Sequence, residues 1–165
     1  HQRENAASAL AALRLLRPGC DEARARAGMA ATRLAARSQF IAHDERRILI
    51  DGAHNPSSIA AALAVADNAL APGWCAIVGL AHDKDLTRIA PLLAACPALR
   101  RCGFAGPRAR GAHDWHEGCA DTPWHPRIED ALAALAPGQH AAIIGSFYLA
   151  GEALALLTPH DDLPG

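Results

Sequence analysis

Residues 51–56, DGAHNP, place a carboxylate, an imidazole and a helix start in one short stretch. Asn55 suits the N-cap of a helix and Pro56 suits its first turn, so we expect a sharp turn from a preceding strand into a helix. Such a junction exposes backbone N–H groups that can bind phosphate. Asp51 could bind a ribose hydroxyl or a metal, and His54 could donate to a phosphoryl or acyl oxygen. The alternative interpretation is a capped turn without a ligand.

Two further segments place polar side chains directly after apolar stretches. Residues 79–85, GLAHDKD, contain four consecutive ionisable residues, including Lys84, the single lysine among 16 basic residues. The alternative here is a helix capped by Asp85 with Lys84 in solvent. Residues 145–147, GSF, form another tight turn, in which Ser146 either caps a helix or presents its hydroxyl to a ligand. Polar side chains after three strands favour one common site.

Strands and helices alternate along most of the chain. The apolar stretch 48–50 has no polar alternation, which indicates an interior strand buried on both faces. The spacing predicts an α/β fold: a Rossmann-like, doubly wound, mostly parallel sheet of about five or six strands with helices on both faces. Ligands in such folds bind beyond the carboxyl ends of the strands. We expect strands at 39–42, 47–50, 75–79, 99–104 and 140–144, helices at 5–16, 22–31, 56–70, 85–95, 128–135 and 147–157, and a loop at 105–126.

Composition and motif searches exclude several classes of protein. A formal net charge of −1 gives no electrostatic basis for binding nucleic acid, and no apolar run approaches the roughly 20 residues of a membrane span. Five cysteines without a CxxC pair indicate a reduced, cytoplasmic compartment, and the nine histidines lack the spacing of a metal site. No P-loop, dinucleotide fingerprint or G-x-S-x-G elbow occurs, which disfavours a self-sufficient kinase, dehydrogenase or hydrolase.

Four motifs, in order, resemble those of one enzyme family. Residues 50–56, IDGAHNP, are similar to the D-x-A-H-N-P motif of the folylpolyglutamate synthase/dihydrofolate synthase family in the Mur ligase superfamily. Residues 1–7, HQRENAA, resemble its H-Q-x-x-N-A-A motif, residues 79–85 resemble G-x-x-x-D-K-D, and residues 145–148, GSFY, resemble G-S-[FL]-Y. Together they extend over nearly the whole chain, which makes the resemblance specific.

The resemblance implies the C-terminal domain of a larger ATP-dependent ligase, whose N-terminal ATPase domain carries the P-loop, the Mg²⁺ ligands and most of the pterin site. Such an enzyme of folate biosynthesis and one-carbon metabolism activates the carboxylate of dihydropteroate or a folate as an acyl phosphate and joins it to L-glutamate. The chain begins without Met and is expected to be one domain, with leading helices at 1–31 and an α/β core at 32–165. Alone, it is expected to be inactive.

The same resemblance implies roles for individual residues. Asn5 would contact the adenine of ATP, Asp51 its ribose, and His54 its phosphates or the acyl phosphate. Lys84 and Ser146 would bind glutamate, and His54 and Lys84 would act in catalysis. No metal ligand is expected within the chain.

Two segments depart from the family pattern. The resemblance implies that Arg37 approaches the ATP phosphates. Residues 35–39 read AARSQ where the family has P-G-R-x-[EQ], so the Arg is present but the Pro-Gly before it is replaced. This difference puts the shape of the turn in question more than the positive charge of Arg37. The stretch 106–112 begins with Gly-Pro-Arg as in the family but differs from the family pattern after it. Arg108 in this stretch either shapes the substrate site or is solvated. The altered turn favours one alternative, a non-catalytic nucleotide- or partner-binding module. Another alternative is a Mur-type ligase of cell-wall precursor synthesis, which the motifs at 51–56 and 145–148 disfavour.

Overall fold

The computed structural model describes residues 2–32, 34–115 and 117–158. These residues form two compact units, divided between residues 35 and 36. His1, the first residue of the N-terminal motif, lies outside the described residues. Within the described ranges, no helix has both the length and the apolar character that crossing a membrane requires.

The first unit consists of two helices, α1 (Gln2–Leu16) and α2 (Glu22–Ala31). The Asp21 carboxylate caps α2 by accepting a hydrogen bond from the Arg24 amide at 3.0 Å, which satisfies one of the free N–H groups of the first turn. The helices are joined by a bidentate ion pair from Arg14 to Glu22, with N–O distances of 2.6 and 2.8 Å. Both predicted helices are confirmed.

The second unit contains a six-stranded sheet with the order β1-β2-β6-β3-β4-β5. β1 is antiparallel to β2, and all other neighbouring strands are parallel. The predicted mostly parallel sheet is therefore confirmed. The strands are β1 (Gln39–His43), β2 (Arg46–Ile50), β3 (Cys75–Val78), β4 (Ala98–Cys102), β5 (Trp124–His125) and β6 (Ala141–Ile144).

Helices cover both faces of this sheet. Leu49 of β2 packs in the apolar cluster that contains α3, α4 and α5, whereas Ile48 and Ile50 pack in the opposite cluster with α6 and α7. All three side chains are fully buried, which confirms the prediction of an interior strand. The helices are α3 (Pro56–Ala69), α4 (Leu86–Ala94), α5 (Glu117–Ala120), α6 (Ile128–Ala133) and α7 (Phe147–Leu157).

The prediction of a continuous loop at 105–126 is wrong, because α5 and β5 lie within it. β5 has only two residues, and its partners Arg101 and Cys102 on β4 are distant in sequence. Two residues show no alternation of apolar and polar side chains, so no periodicity marks this strand. β3 and β4 also end earlier than predicted, before Gly79 and Gly103.

Candidate functional site

The carboxyl ends of β2, β6 and β3 lie side by side, because these strands are parallel neighbours. A cleft of about 150 Å³ lies beyond them. Three predicted residues, His54, Lys84 and Ser146, reach this cleft from three different strand ends. The complete lining is His54, Ala81, Lys84, Arg108, Gly145, Ser146, Phe147 and Tyr148.

The turn after β2 fixes the position of His54. Asn55 caps α3 as predicted: its Oδ1 accepts from the Ser58 amide at 2.9 Å, and the Ser58 hydroxyl interacts in return with the Asn55 backbone. His54 Nδ1 lies 2.8 Å from the Gly52 carbonyl oxygen. A carbonyl oxygen only accepts, so Nδ1 carries the proton in this bond. Nε2 of the half-buried ring therefore remains available to a ligand.

The Arg37 turn, residues 36–39, has two residues in the left-handed region although it lacks the Pro-Gly of the family motif. Ala36 has φ 55° and Ser38 has φ 44°, a region that non-glycine residues seldom adopt. The Ala36 amide donates to Gln39 Oε1 at 3.1 Å, and the Ala36 carbonyl accepts from the Gly52 amide at 2.8 Å. One local and one long-range hydrogen bond thus stabilise the turn whose shape the sequence left in question.

Asp51 connects this turn to the end of β2. Its carboxylate is only 2% exposed. Oδ2 accepts from the amide and hydroxyl of Ser38, at 2.7 and 3.1 Å, and Oδ1 accepts from the Ala53 amide at 2.8 Å. Both carboxylate oxygens are therefore engaged within the protein. The ribose contact assigned to Asp51 stays a prediction.

Phe147, which the sequence did not single out, joins the two sides of this region. The Arg37 guanidinium lies 4.7 Å from the centroid of its ring, and the His54 ring lies 5.9 Å away. A Cβ at Gly52 would overlap the Phe147 ring, so glycine is required there for this packing. The only signal in the sequence was the position of Phe147 in the GSFY motif.

The opposite side of the cleft carries two cations around one carboxylate. Asp83 Oδ2 lies 3.0 Å from Arg108 Nη2 and 3.4 Å from Lys84 Nζ. The hydrogen bond from Arg108 lowers the pKa of Asp83, so this carboxyl remains ionised. Lys84 is three-quarters covered, whereas Arg108 is about half exposed. Arg108, whose role the sequence left open, lines the cleft.

Residues 108–110, which include Arg108, hold the backbone around Lys84 in place. Residues 108–110 run beside residues 80–82, with hydrogen bonds from the His82 amide to the Arg108 carbonyl and from the Arg110 amide to the Leu80 carbonyl, both 2.9 Å. The Arg110 guanidinium also donates to the carbonyls of His82 and Lys84, at 2.9 and 3.1 Å. The backbone that carries Lys84 is thereby fixed.

Two further predicted residues have different surroundings. The Ser146 hydroxyl accepts from the Tyr148 amide at 3.0 Å and thus caps α7, while its own O–H remains able to donate to a ligand. Asn5 lies exposed on α1 of the first unit, and its adenine contact stays a prediction. Among the described residues, no group of three or more His, Cys, Asp or Glu side chains is arranged to hold a metal ion.

A family model described as the Mur ligase glutamate ligase domain matches residues 36–161. The chain belongs to this family. Its six-stranded α/β unit has the fold of the Mur ligase C-terminal domain.

This Mur ligase domain is also similar to individual folate ligases. It is 35% identical over 130 residues to a folylpolyglutamate synthase from Lacticaseibacillus casei, an alignment that covers 76% of this chain and 30% of that protein. Escherichia coli FolC in complex with ADP is 26% identical, with a TM-score of 0.73 over 92% of this chain and 38% of FolC. A bifunctional folylpolyglutamate synthase/dihydrofolate synthase with Mn, AMPPNP and L-glutamate bound is 25% identical, with a TM-score of 0.77 over 94% of this chain and 39% of that enzyme. The Mur ligase domain thus spans less than two fifths of each relative.

Proposed function

We propose that this chain is the C-terminal part of an ATP-dependent amide ligase that joins L-glutamate to dihydropteroate, to a folate, or to both. The observation that carries this proposal is the small cleft in which His54, Lys84, Arg108 and Ser146 converge. Similarity to folylpolyglutamate synthases supports the substrate class. L-glutamate bound to one relative supports the amino acid.

The charge and size of the cleft suit glutamate. Lys84 and Arg108 share the single carboxylate of Asp83, which leaves one positive charge to attract an acidic amino acid. The volume of about 150 Å³ lies below the roughly 300–1,000 Å³ of sites for drug-sized ligands. In this proposal, Lys84 and Arg108 bind a glutamate carboxylate and the Ser146 hydroxyl donates to it.

The proposed reaction has two steps. A carboxylate oxygen of the pteroate or folate attacks the γ-phosphorus of ATP, and ADP leaves. The glutamate amine then attacks the acyl carbon and the C–O bond to the phosphate breaks. One amine proton passes to the departing phosphate, which leaves as inorganic phosphate as the amide forms. Both steps develop negative charge, which the Arg37 guanidinium is suited to stabilise. In this proposal, His54 Nε2 contacts the phosphoryl or acyl oxygens.

ATP and Mg²⁺ bind mainly to a P-loop domain of the same protein in this proposal, and the enzyme works in the cytoplasm. The nucleotide and manganese complexes of the relatives support this use of cofactors. The non-catalytic alternative rests on the replaced Pro-Gly of the Arg37 turn, in which Ala36 and Ser38 have positive φ.

The test is an assay of the full-length protein for ATP- and glutamate-dependent extension of dihydropteroate or tetrahydrofolate. His54→Ala is expected to lower kcat about 100-fold or more, the range of general acid–base and electrostatic groups. His43→Ala is the matched control. His43 pairs with Arg46, the first residue of β2, so it lies at the amino ends of the parallel strands, away from the cleft. Undiminished activity of His54→Ala would contradict the role of this residue. Product formed only from a cell-wall precursor would favour the other Mur-type ligase.

The glutamate subsite has a separate test. Lys84→Met and Arg108→Met are each expected to raise the KM for glutamate about tenfold or more and to leave the KM for ATP nearly unchanged. Arg88→Met on the exposed surface of α4 removes the same charge away from the cleft lining. Equal effects of all three substitutions would contradict this assignment.

A further inference from the structure

We propose that Phe147 is a positioning residue, whose ring supports both the Arg37 guanidinium and the His54 imidazole so that these two groups reach the reacting oxygens together. This inference rests on the proposed function, because it assigns a role to a side chain that contacts two of the groups the ligase would use. A phenyl ring has no hydrogen-bonding group or formal charge of its own, so Phe147 acts only through these neighbours.

The backbone around Phe147 is anchored to the end of β2. β2 and β6 are parallel neighbours, so the turns that follow them lie side by side. The Gly145 amide, in the turn after β6, donates to the Ala53 carbonyl, in the turn after β2, at 2.7 Å. Ser146 then caps α7. Phe147 is thus held at the first position of α7, beside the turn that carries His54.

The surroundings of the Phe147 ring differ from those of a core side chain. Phe147 is 42% exposed although it is apolar. The Arg37 guanidinium lies over its ring, 4.7 Å from the centroid, and the His54 ring is tilted by 58° against it. Both arrangements are attractive, because the face of an aromatic ring is negative and its edge is positive. The ring therefore acts on two polar groups rather than on the hydrophobic core.

Gly52 provides the space for this arrangement. A Cβ at Gly52 would overlap the Phe147 ring, to which its three nearest atoms all belong. The Gly52 carbonyl accepts from His54 Nδ1, and the Gly52 amide donates to the carbonyl of Ala36, the residue before Arg37, both at 2.8 Å. The backbone of one glycine thus holds the segments that bear both polar groups, and its missing side chain admits the ring beside them.

A fixed position of these two groups matters for a reaction that develops negative charge. The arginine side chain has several rotatable bonds, and contact with the Phe147 ring restricts Arg37 before substrate binds. Groups that are already in position stabilise developing charge more effectively than mobile ones. Loss of the ring is therefore expected to lower kcat rather than to weaken the binding of substrates.

The first test replaces the ring with an aliphatic side chain. In the full-length protein, Phe147→Leu is expected to lower kcat about fivefold or more and to change the KM for ATP and for glutamate by no more than about twofold. An unchanged kcat would overturn the inference. If the KM for glutamate rose at the same time, Phe147 would be only a wall of the cleft.

Phe40→Leu is the matched control for this substitution. The Phe40 ring also packs on an arginine, with the Arg47 guanidinium 4.2 Å from its centroid, but Phe40 does not line the cleft. Its kcat is expected to be unchanged. An equal loss of kcat in Phe40→Leu and Phe147→Leu would overturn the inference, because the effect would then be unrelated to the groups at the cleft.

Gly52→Ala displaces the ring without removing it, because the added methyl group occupies its place. We expect this substitution to lower kcat about fivefold or more in the full-length protein. In a Phe147→Ala background the overlap is gone, so adding Gly52→Ala is expected to change kcat by no more than about twofold. Independent, multiplicative losses would overturn the inference, since Gly52 would then act without the ring.

A measurement without substrate separates this inference from the proposed function. In NMR spectra of the full-length protein labelled with ¹⁵N-arginine, the Arg37 Nε signal is assigned by its loss in Arg37→Lys. Phe147→Leu and Gly52→Ala are each expected to shift this signal, because the ring current of Phe147 is removed or displaced, whereas Phe40→Leu is expected to leave it unchanged.

An unchanged Arg37 signal in Phe147→Leu or Gly52→Ala would overturn the inference whether or not the protein is a ligase. A shifted signal in a protein without ligase activity would support the ring contact and contradict the proposed function. If one of the two variants does not fold, the signal in the other decides in the same way.

Discussion

The two sides of the cleft are held by opposite charges. On one side, the Asp51 carboxylate accepts from amides and a hydroxyl to hold the Arg37 turn. On the other side, Arg101 and Arg110 donate to backbone carbonyls and so hold the 105–122 segment and the Lys84 backbone. The side chains differ in charge because the two backbone segments leave different polar groups without a backbone partner. The turn before β1 and the turn before α3 present N–H groups, whereas the irregular loop presents carbonyl oxygens.

The two arrangements also differ in their electrostatic cost. Arg101 is 6% exposed, and burial lowers the pKa of its guanidinium. Its partners include the carbonyls of Thr122 and Ala112, at 2.6–3.0 Å. Neutral carbonyls compensate a buried cation less well than a carboxylate does. The loop side therefore depends strongly on a few long-range hydrogen bonds, and four substitutions test the contrast.

Arg101→Ala should have the largest effect. It removes three charge-assisted hydrogen bonds and leaves the Thr122 and Ala112 carbonyls unpaired, so we expect a loss of about 2–3 kcal/mol in the free energy of unfolding. Urea denaturation measures this loss, with Arg88→Ala as the control. Amide exchange should increase in the 105–122 segment and not at Ser38. Equal loosening of both sides would show that they are not held independently.

Arg110→Ala should have a smaller effect on stability, about 1–2 kcal/mol, because its partners lie nearer to solvent. The substitution should also affect Lys84, because the Arg110 guanidinium donates to the Lys84 carbonyl. We expect the KM for glutamate in the full-length protein to rise about threefold or more while the KM for ATP stays constant. A rise in both constants would indicate that the two sides of the cleft are coupled.

Ser38→Ala tests the carboxylate side. The substitution removes the 3.1 Å hydroxyl bond to Asp51 and keeps the shorter amide bond, so the expected loss is about 1 kcal/mol. Chemical denaturation gives the magnitude, and Ser57→Ala, which removes an exposed hydroxyl bond to Asn55, serves as the control. A loss no larger than that of the control would show that the hydroxyl contributes nothing to the turn.

Ala36→Gly should have the smallest effect. Glycine relieves a left-handed conformation that costs an L-residue about 1–2 kcal/mol. However, it also removes a buried methyl group worth about 0.8 kcal/mol and increases the entropy of the unfolded chain. We expect the free energy of unfolding to change by less than about 0.5 kcal/mol. A marked stabilisation would show that the methyl group contributes little to the core.

Sequence reasoning was most successful where an interaction spans only a few residues. The caps at Asn55, Asp85 and Ser146 each accept from an amide two or three positions later. A bond of this range depends on residue type and spacing, which the sequence shows directly. The same holds for strands buried on both faces, because continuous apolar runs mark them. These local signals predicted the α/β fold and the strand ends that bear polar groups.

The tertiary structure decided what depends on distant partners. It paired Asp51 with Ser38 across 13 residues and Arg101 with Thr122 across 21, and it placed Arg108 beside Asp83. It also held Ala36 in a left-handed conformation without glycine. None of these features has a short-range pattern, because each arises only once the order of strands brings separate segments together. The sequence by itself thus determined which residues stand at the strand ends, and only folding decided which of them hold the others in place.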